Sequence, residues 1–140
     1  MHSSRRIHVR RVVGILFAVP AAITLASTPA QAAGHTTVVY SNDGGSTFGA
    51  KSIFYGNQDP ERFQTCDTKS DGYRSWSKLT WPGGSVTIED SDGSSAFCDD
   101  KPGNIVSKNV PEGATVEITT CLKDGANDTP FDCGFGYGDA

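Results

Sequence analysis

Turn-forming residues recur at short intervals along this sequence, and they limit what the chain can fold into. Gly, Pro, Asp and Asn cluster at positions 42–45, 71–72, 82–84, 92–93 and 111–113. The runs between these clusters are rich in β-branched and aromatic residues and show no sustained helical periodicity. This pattern is typical of an all-β sandwich or barrel. We therefore predict a single small antiparallel β-sandwich of about eight strands.

The run at residues 47–55 shows the alternation of a half-buried strand. Phe48, Ala50, Ser52 and Phe54 share one face, because successive side chains of a strand point to opposite sides. Further strands are expected at residues 35–41, 61–68, 73–81, 86–90, 105–110 and 115–122. A last hairpin runs out through Cys121 and back through Cys133, and it is followed by a glycine-rich strand or loop with Phe135 and Tyr137.

The cysteine count predicts two disulfides. Cys66, Cys98, Cys121 and Cys133 form an even set, which in a small exported chain is typical of a disulfide framework. Four cysteines allow three connectivities, and we favour Cys66–Cys98 with Cys121–Cys133, since each pair then joins a hairpin or neighbouring strands. No pair has the C-x-x-C spacing of a zinc site, so we expect no metal, and no Walker or dinucleotide fingerprint is present, so we expect no cofactor.

Residues 1–32 have the features of an export signal. Arg5, Arg6, Arg10 and Arg11 form a basic start without acids, an apolar run follows, and Ala30-Gln31-Ala32 is a small-x-small cleavage site. The apolar run is short for a membrane span and contains Gly14 and Pro20. We expect residues 33–140 to be the secreted, extracellular domain, with no membrane attachment.

The charge of the domain restricts its partners. The whole chain has a net charge of −4, but the four signal arginines leave with the signal, so eight basic side chains remain against sixteen acidic ones, a net charge of −8. An acidic surface repels phosphate backbones and anionic lipids, so we expect no nucleic-acid or membrane partner. The expected partner is an extracellular protein or a polysaccharide, and the domain is expected to be a monomer.

Both tryptophans lie in the run at residues 73–81. Alternation places Tyr73, Ser75, Ser77, Leu79 and Trp81 on one face, and Arg74, Trp76, Lys78 and Thr80 on the other. Burying two cations costs free energy, so Leu79 is expected in the core and Trp76 at least partly exposed. Two interpretations of the outer face stay open. Either the stems of Arg74 and Lys78 simply cover the indole, or Trp76, Arg74 and Lys78, with Tyr73 nearby, form a binding patch.

Catalytic chemistry has little support in the sequence. Residues 33–140 contain one histidine, His35, and no cysteine outside the expected disulfides, so nucleophile–histidine catalysis would depend on His35 alone. An acidic cluster comprises Glu89, Asp90, Asp92, Asp99 and Asp100. Paired carboxylates can hydrolyse glycosides or bind calcium. Asp is also a favoured turn former, and acids keep a secreted protein in solution.

Three short motifs carry a resemblance. They are Cys66-Asp67 with Asp71-Gly72 four residues on, the run Val110-Pro111-Glu112-Gly113 leading to Val116, Ile118 and Cys121, and the pair Asp132-Cys133. In these the chain resembles small secreted four-cysteine proteins of actinobacteria. The resemblance implies a β-rich fold and an extracellular location, and it implies no site residues.

These observations support one leading hypothesis and two alternatives. The leading hypothesis is a secreted, disulfide-stabilised binding protein without catalytic activity, either an inhibitor of an extracellular enzyme or a binder of surfaces or glycans. The alternatives are a small extracellular hydrolase that uses carboxylates, and a structural or developmental surface protein.

We predict that export removes residues 1–32, because the basic start, the apolar run and the Ala30-Gln31-Ala32 site together fit a cleaved signal. Intact-mass measurement of protein purified from the culture fluid should give the mass of a chain that begins at Ala33. A full-length species retained in the membrane would contradict this.

Overall fold

The chain is described in a computed structural model that covers residues 34–44, 48–91, 93, 98 and 100–140. This part of the chain contains eight strands in two four-stranded antiparallel sheets, and it contains no helix that could span a membrane. The strands are β1 (Thr36–Tyr40), β2 (Ala50–Tyr55), β3 (Glu61–Asp67), β4 (Arg74–Trp81), β5 (Gly84–Asp90), β6 (Ile105–Lys108), β7 (Thr115–Lys123) and β8 (Phe131–Asp139). The prediction of an eight-stranded, all-β sandwich is confirmed.

The order of the strands brings the two ends of the domain together. The sheets are β1-β2-β3-β6 and β5-β4-β7-β8. Hairpins join β1 to β2, β2 to β3, β4 to β5 and β7 to β8, and the other three connections cross between sheets. The first and last strands are thus edge strands of different sheets. They meet where the backbone N–H of Asn42 donates to the carbonyl oxygen of Asp132 at 2.8 Å.

The central strand β4 follows the predicted alternation. Ser75, Ser77 and Leu79 are buried, whereas Trp76 and Lys78 on the other face are half-buried. The predictions for Leu79 and Trp76 are therefore confirmed. Trp81 closes the strand and packs at the border of the apolar core.

Two aromatic residues depart from the predicted alternation. β2 begins at Ala50, so Phe48 precedes the ladder and is exposed, with its ring centroid 4.9 Å from that of Tyr40. β4 begins at Arg74, so Tyr73 also lies outside the strand, 38% exposed and edge-on to Phe131. The expectation that each aromatic shares a face with the strand that follows it was wrong. Alternation holds only where a ladder fixes the backbone.

The space between the sheets contains an ordinary apolar core. Its buried members are Val39, Phe54, Phe63, Leu79, Ile88, Val110, Val116, Ile118 and Ala140. They come from both sheets, as expected when two inner faces interdigitate. Burial of their side chains is the main favourable term for folding.

The space between the sheets also contains five fully buried hydroxyls. They form one chain of hydrogen bonds in the order Thr120, Ser52, Ser77, Thr65 and Ser75. Ser52 Oγ and Thr65 Oγ1 each lie 2.6 Å from Ser77 Oγ. Because each hydroxyl can donate one hydrogen bond and accept others, neighbours along the chain satisfy one another without water.

Both predicted disulfides are present. Cys66 of β3 is bonded to Cys98, with a Cα–Cα distance of 5.1 Å, and Cys121 of β7 to Cys133 of β8, with 4.1 Å. Two disulfides in so small a domain are typical of extracellular proteins. The predicted signal at residues 1–32 lies outside the described residues.

We predict that Leu79→Ala destabilises the fold by about 2–5 kcal/mol, as truncations in a closed apolar core do. Trp76→Ala should cost clearly less, since the indole is only partly buried. Thermal or denaturant unfolding of the two variants measures the difference. A larger loss for Trp76→Ala than for Leu79→Ala would contradict the assignment of the faces.

We also predict that Ser52→Ala costs about 1–3 kcal/mol, because it leaves the buried hydroxyls of Ser77 and Thr120 each without one partner. The matched control is Ser85→Ala on the exposed face of β5, which should change the free energy of unfolding by less than about 0.5 kcal/mol. Equal stability of both variants in denaturant would show that the hydroxyl chain contributes nothing.

Candidate binding site

The last strand alternates glycine with aromatic residues over its second half. Gly134, Gly136 and Gly138 point toward β1 and the core, and Phe135 and Tyr137 point outward. These two rings are 67% and 70% exposed, the highest values among the large hydrophobic residues of the described chain. The strand therefore places two largely solvent-exposed aromatic side chains on the outer face of its sheet.

The glycines are required by the close approach of β8 to β1. A Cβ atom at Gly134 would lie 1.9 Å from the carbonyl oxygen of Tyr40, and one at Gly136 would lie 2.5 Å from Cγ2 of Val39. A side chain at either position would push the two edge strands apart. The alternation of glycine and aromatic residues in β8 therefore has two consequences. It allows β8 to pack closely against β1, and it places the aromatic rings on the side that faces solvent.

Along this seam runs an open groove of about 650 Å³, which we call the β1–β8 groove. Its walls are Val38, Tyr40 and Phe48 on one side and Phe135 and Tyr137 on the other. Five of the six large hydrophobic residues that are exposed in the described chain line this groove, and the sixth is Tyr73. Because large exposed apolar patches are often functional, the groove is the candidate site.

Partly buried polar contacts link Asp43 to Gly49, the residue after Phe48. Asp43 accepts hydrogen bonds from Lys69 Nζ at 2.7 Å, from the Gly49 backbone N–H at 3.0 Å and from Ser41 Oγ at 3.1 Å. Burial opposes ionisation of Asp43, but the hydrogen bonds from Lys69, the backbone and Ser41 outweigh it and keep the pKa of this carboxyl below its ordinary value. The carboxylate stays charged and keeps these contacts at neutral pH.

A second, smaller depression of about 360 Å³ adjoins the groove and shares Tyr137 with it. It lies where β4 ends and β7 begins, and Trp81, Pro82 and Glu117 line it together with Tyr137. The indole of Trp81 lies over Gly84, where a Cβ would be 2.6 Å from the ring. A side chain at residue 84 would therefore displace the indole.

The predicted binding patch around Trp76 differs from the β1–β8 groove in its exposure and in its ion pairing. Arg74, Trp76 and Lys78 share the outer face of β4, but Tyr73 lies beyond the strand and packs on Phe131. Arg74 donates to Glu89 at 3.0 Å. Trp76 is only half exposed, opposite Cys121 in the neighbouring strand. Both interpretations of this face, covering of the indole by its neighbours and a binding patch, stay predictions.

The acidic cluster is largely engaged in structural contacts. Glu89 accepts hydrogen bonds from Lys123 Nζ at 2.5 Å and from Arg74 at 3.0 Å. Burial opposes its ionisation, but these two cations outweigh burial and hold the pKa of Glu89 below its ordinary value, which suits an ion pair rather than a general acid.

The two other described acids of the cluster, Asp90 and Asp100, have separate partners. Asp90 is buried and accepts from the Asp67 backbone N–H, and Asp100 bonds Arg62 and Gln64. Asp92 and Asp99 lie outside the described residues. Neither the β1–β8 groove nor the smaller depression is lined by two acids, and in the described residues no three His, Cys, Asp or Glu side chains are grouped to hold a metal ion.

The β1–β8 groove was not predicted from the sequence. The signal that could have found it is the alternation in residues 134–138, where glycines at every second position of a strand indicate a closely packed inner side and free outer rings. The sequence alone could not show that β1 lies beside β8, because these two strands are the first and the last of the domain in sequence.

No protein-family model, no curated protein and no solved structure matches this chain.

Proposed function

We propose that this protein is a non-catalytic extracellular binding protein, and that the β1–β8 groove is the surface on which it holds a partner protein. The observation that carries the proposal is the concentration of exposed aromatic and aliphatic side chains along this one seam. Tyrosine and phenylalanine are enriched at the centres of protein interfaces, because they bury a large area at low conformational cost.

The groove is built to keep its shape. Its floor is the contact between β8 and β1, with no space for a side chain beneath Gly134 or Gly136. One end is fixed by the Cys121–Cys133 disulfide, and the other wall by the loop that Asp43 and Lys69 hold. A surface that is already ordered loses little entropy on binding, which favours affinity.

A protein partner fits the lining better than a polysaccharide. The rings of Tyr40 and Phe48 contact each other at a tilt of 33°, so they offer an uneven surface rather than one flat platform for sugar rings. The groove also contains an aliphatic wall at Val38, beside polar side chains such as Thr37, Ser41 and Asn42 that can form hydrogen bonds. Apolar side chains of a protein fill such a surface without needing those hydrogen bonds.

We predict that Phe135→Ser and Tyr40→Ser each weaken capture of the partner by about tenfold or more, since aromatic anchors at the centre of an interface dominate its binding energy. Both rings are exposed, so stability should change little. The measurement is capture of culture-fluid proteins on the immobilised secreted protein, followed by titration of each captured protein against the purified variants. Melting curves of the same variants verify that they fold.

Two controls separate the alternatives. Trp76→Ala alters the face of β4 outside the groove, and it should leave capture unchanged. Loss of capture with Trp76→Ala, together with normal capture by Phe135→Ser, would move the binding surface to the patch of Arg74, Trp76 and Lys78. Co-sedimentation with insoluble polysaccharides that depends on Phe135 and Tyr137 would replace the protein partner with a glycan.

A further inference from the structure

We propose that the depression beside Tyr137 is a specificity pocket for a cationic side chain, an arginine of the polypeptide that occupies the β1–β8 groove. The identity of the macromolecule rests on the proposed function, whereas the chemistry of the pocket rests on its own residues. The pocket is lined by Trp81, Pro82, Glu117 and Tyr137, together with Thr80, Thr115 and Val116.

The residues of the pocket match a guanidinium group in type and placement. Tyr137 and Glu117 are paired across β8 and β7, and Glu117 is in turn paired with Thr80 across β7 and β4. Paired residues of neighbouring strands project from the same face, so the carboxylate of Glu117 stands beside the phenol ring. Trp81 adds an indole to the lining. Aromatic faces attract cations, and a carboxylate binds the planar guanidinium through two hydrogen bonds.

The negative charge of Glu117 is not used within the fold. Glu117 is exposed, and no ion pair or side-chain hydrogen bond in the described part of the chain involves it. By contrast, Asp43 and Glu89 are each paired with lysine or arginine. A free carboxylate beside the exposed Tyr137 side chain is complementary to an external cation, and the net negative charge of the chain steers cationic partners toward it.

Arginine is favoured over lysine by the geometry of the lining. Its guanidinium is planar, stacks on aromatic rings and is weakly hydrated, whereas the lysine ammonium is a compact and strongly hydrated charge. The volume of about 360 Å³ accommodates a long side chain. Because Tyr137 lines both the pocket and the groove, an arginine in the pocket is contiguous with a polypeptide in the groove.

The test uses Nα-acetyl-arginine amide as the probe and nuclear magnetic resonance of the ¹⁵N-labelled secreted protein. The chain has two tryptophans, so two indole N–H signals are expected, and a Trp76→Phe variant assigns them. Titration into the millimolar range should shift the Trp81 indole signal and the backbone signals of residues 115–117, while the Trp76 indole signal stays in place as an internal control. The neutral isostere Nα-acetyl-citrulline amide should bind more weakly by about fivefold or more.

Matched variants identify the residues responsible. Glu117→Gln, which keeps the size of the side chain, should weaken arginine-amide binding by about fivefold, and Tyr137→Ser should weaken it similarly. Glu112→Gln removes the same charge from the exposed turn at residues 111–113 and should have no effect. Equal weakening by Glu112→Gln, equal binding of the citrulline probe, or absence of a shift at Trp81 would each overturn the proposal.

The experiment also separates this inference from the proposed function. Phe135→Ser leaves the pocket intact, so it should retain arginine-amide binding even though it loses capture of the partner. If the groove variants retain capture while arginine amide still binds through Glu117, the proposed function is wrong and the pocket is right. If the arginine probe fails and the groove variants lose capture, the pocket is wrong and the docking surface stands.

Discussion

The chain of five buried hydroxyls is the interaction on which the alignment of the two sheets depends. Apolar side chains tolerate small shifts, because the hydrophobic effect has no direction. Buried hydroxyls do not tolerate such shifts. Each oxygen must lie within hydrogen-bond distance of the next, and a hydroxyl left unsatisfied costs about 1–3 kcal/mol. Ser52 and Thr65 come from one sheet, and Ser75, Ser77 and Thr120 from the other. Displacement of one sheet by a single residue would break several of these bonds at once, so the chain of hydroxyls fixes one relative position of the sheets.

That position determines where the edges meet, and the edges form the candidate site. With the sheets aligned by residues of β2, β3, β4 and β7, the outer strands β1 and β8 are brought side by side. They come close enough that only glycine fits at positions 134 and 136. A β-strand with glycines on one side must carry its larger side chains on the other, which here is solvent. The exposed rings of Phe135 and Tyr137 are therefore a consequence of the seam, and the aromatic wall of β1 faces them across it.

The sequence was sufficient for features that depend on neighbouring residues. Alternation along one strand predicted that Leu79 is buried and that Trp76 is at least partly exposed, and cysteine spacing predicted the Cys121–Cys133 disulfide of the last hairpin. It was insufficient where segments distant in sequence meet. Ser75 and Ser77 were recognised on an inner face, but the other members of the hydroxyl chain, Ser52, Thr65 and Thr120, belong to three other strands. The β1–β8 groove has the same origin, since Tyr40 and Phe135 become neighbours only after the sheets are aligned.

The face of β4 around Trp76 and the surface at Tyr137 differ in whether their charged side chains are already paired within the fold. The indole of Trp76 lies on a face where Arg74 is already paired with Glu89, and Glu89 also holds the buried Lys123. A ligand that took Arg74 would leave Glu89 partly uncompensated, so a share of its binding energy would be spent on breaking an existing pair. The surface at Tyr137 has no such existing pair to break. The rings of Phe135 and Tyr137 are exposed, and Glu117 has no partner among the described ion pairs. A cation that binds there replaces only water. The strand that carries the most exposed rings is thus also beside the acid that an external partner can most readily use.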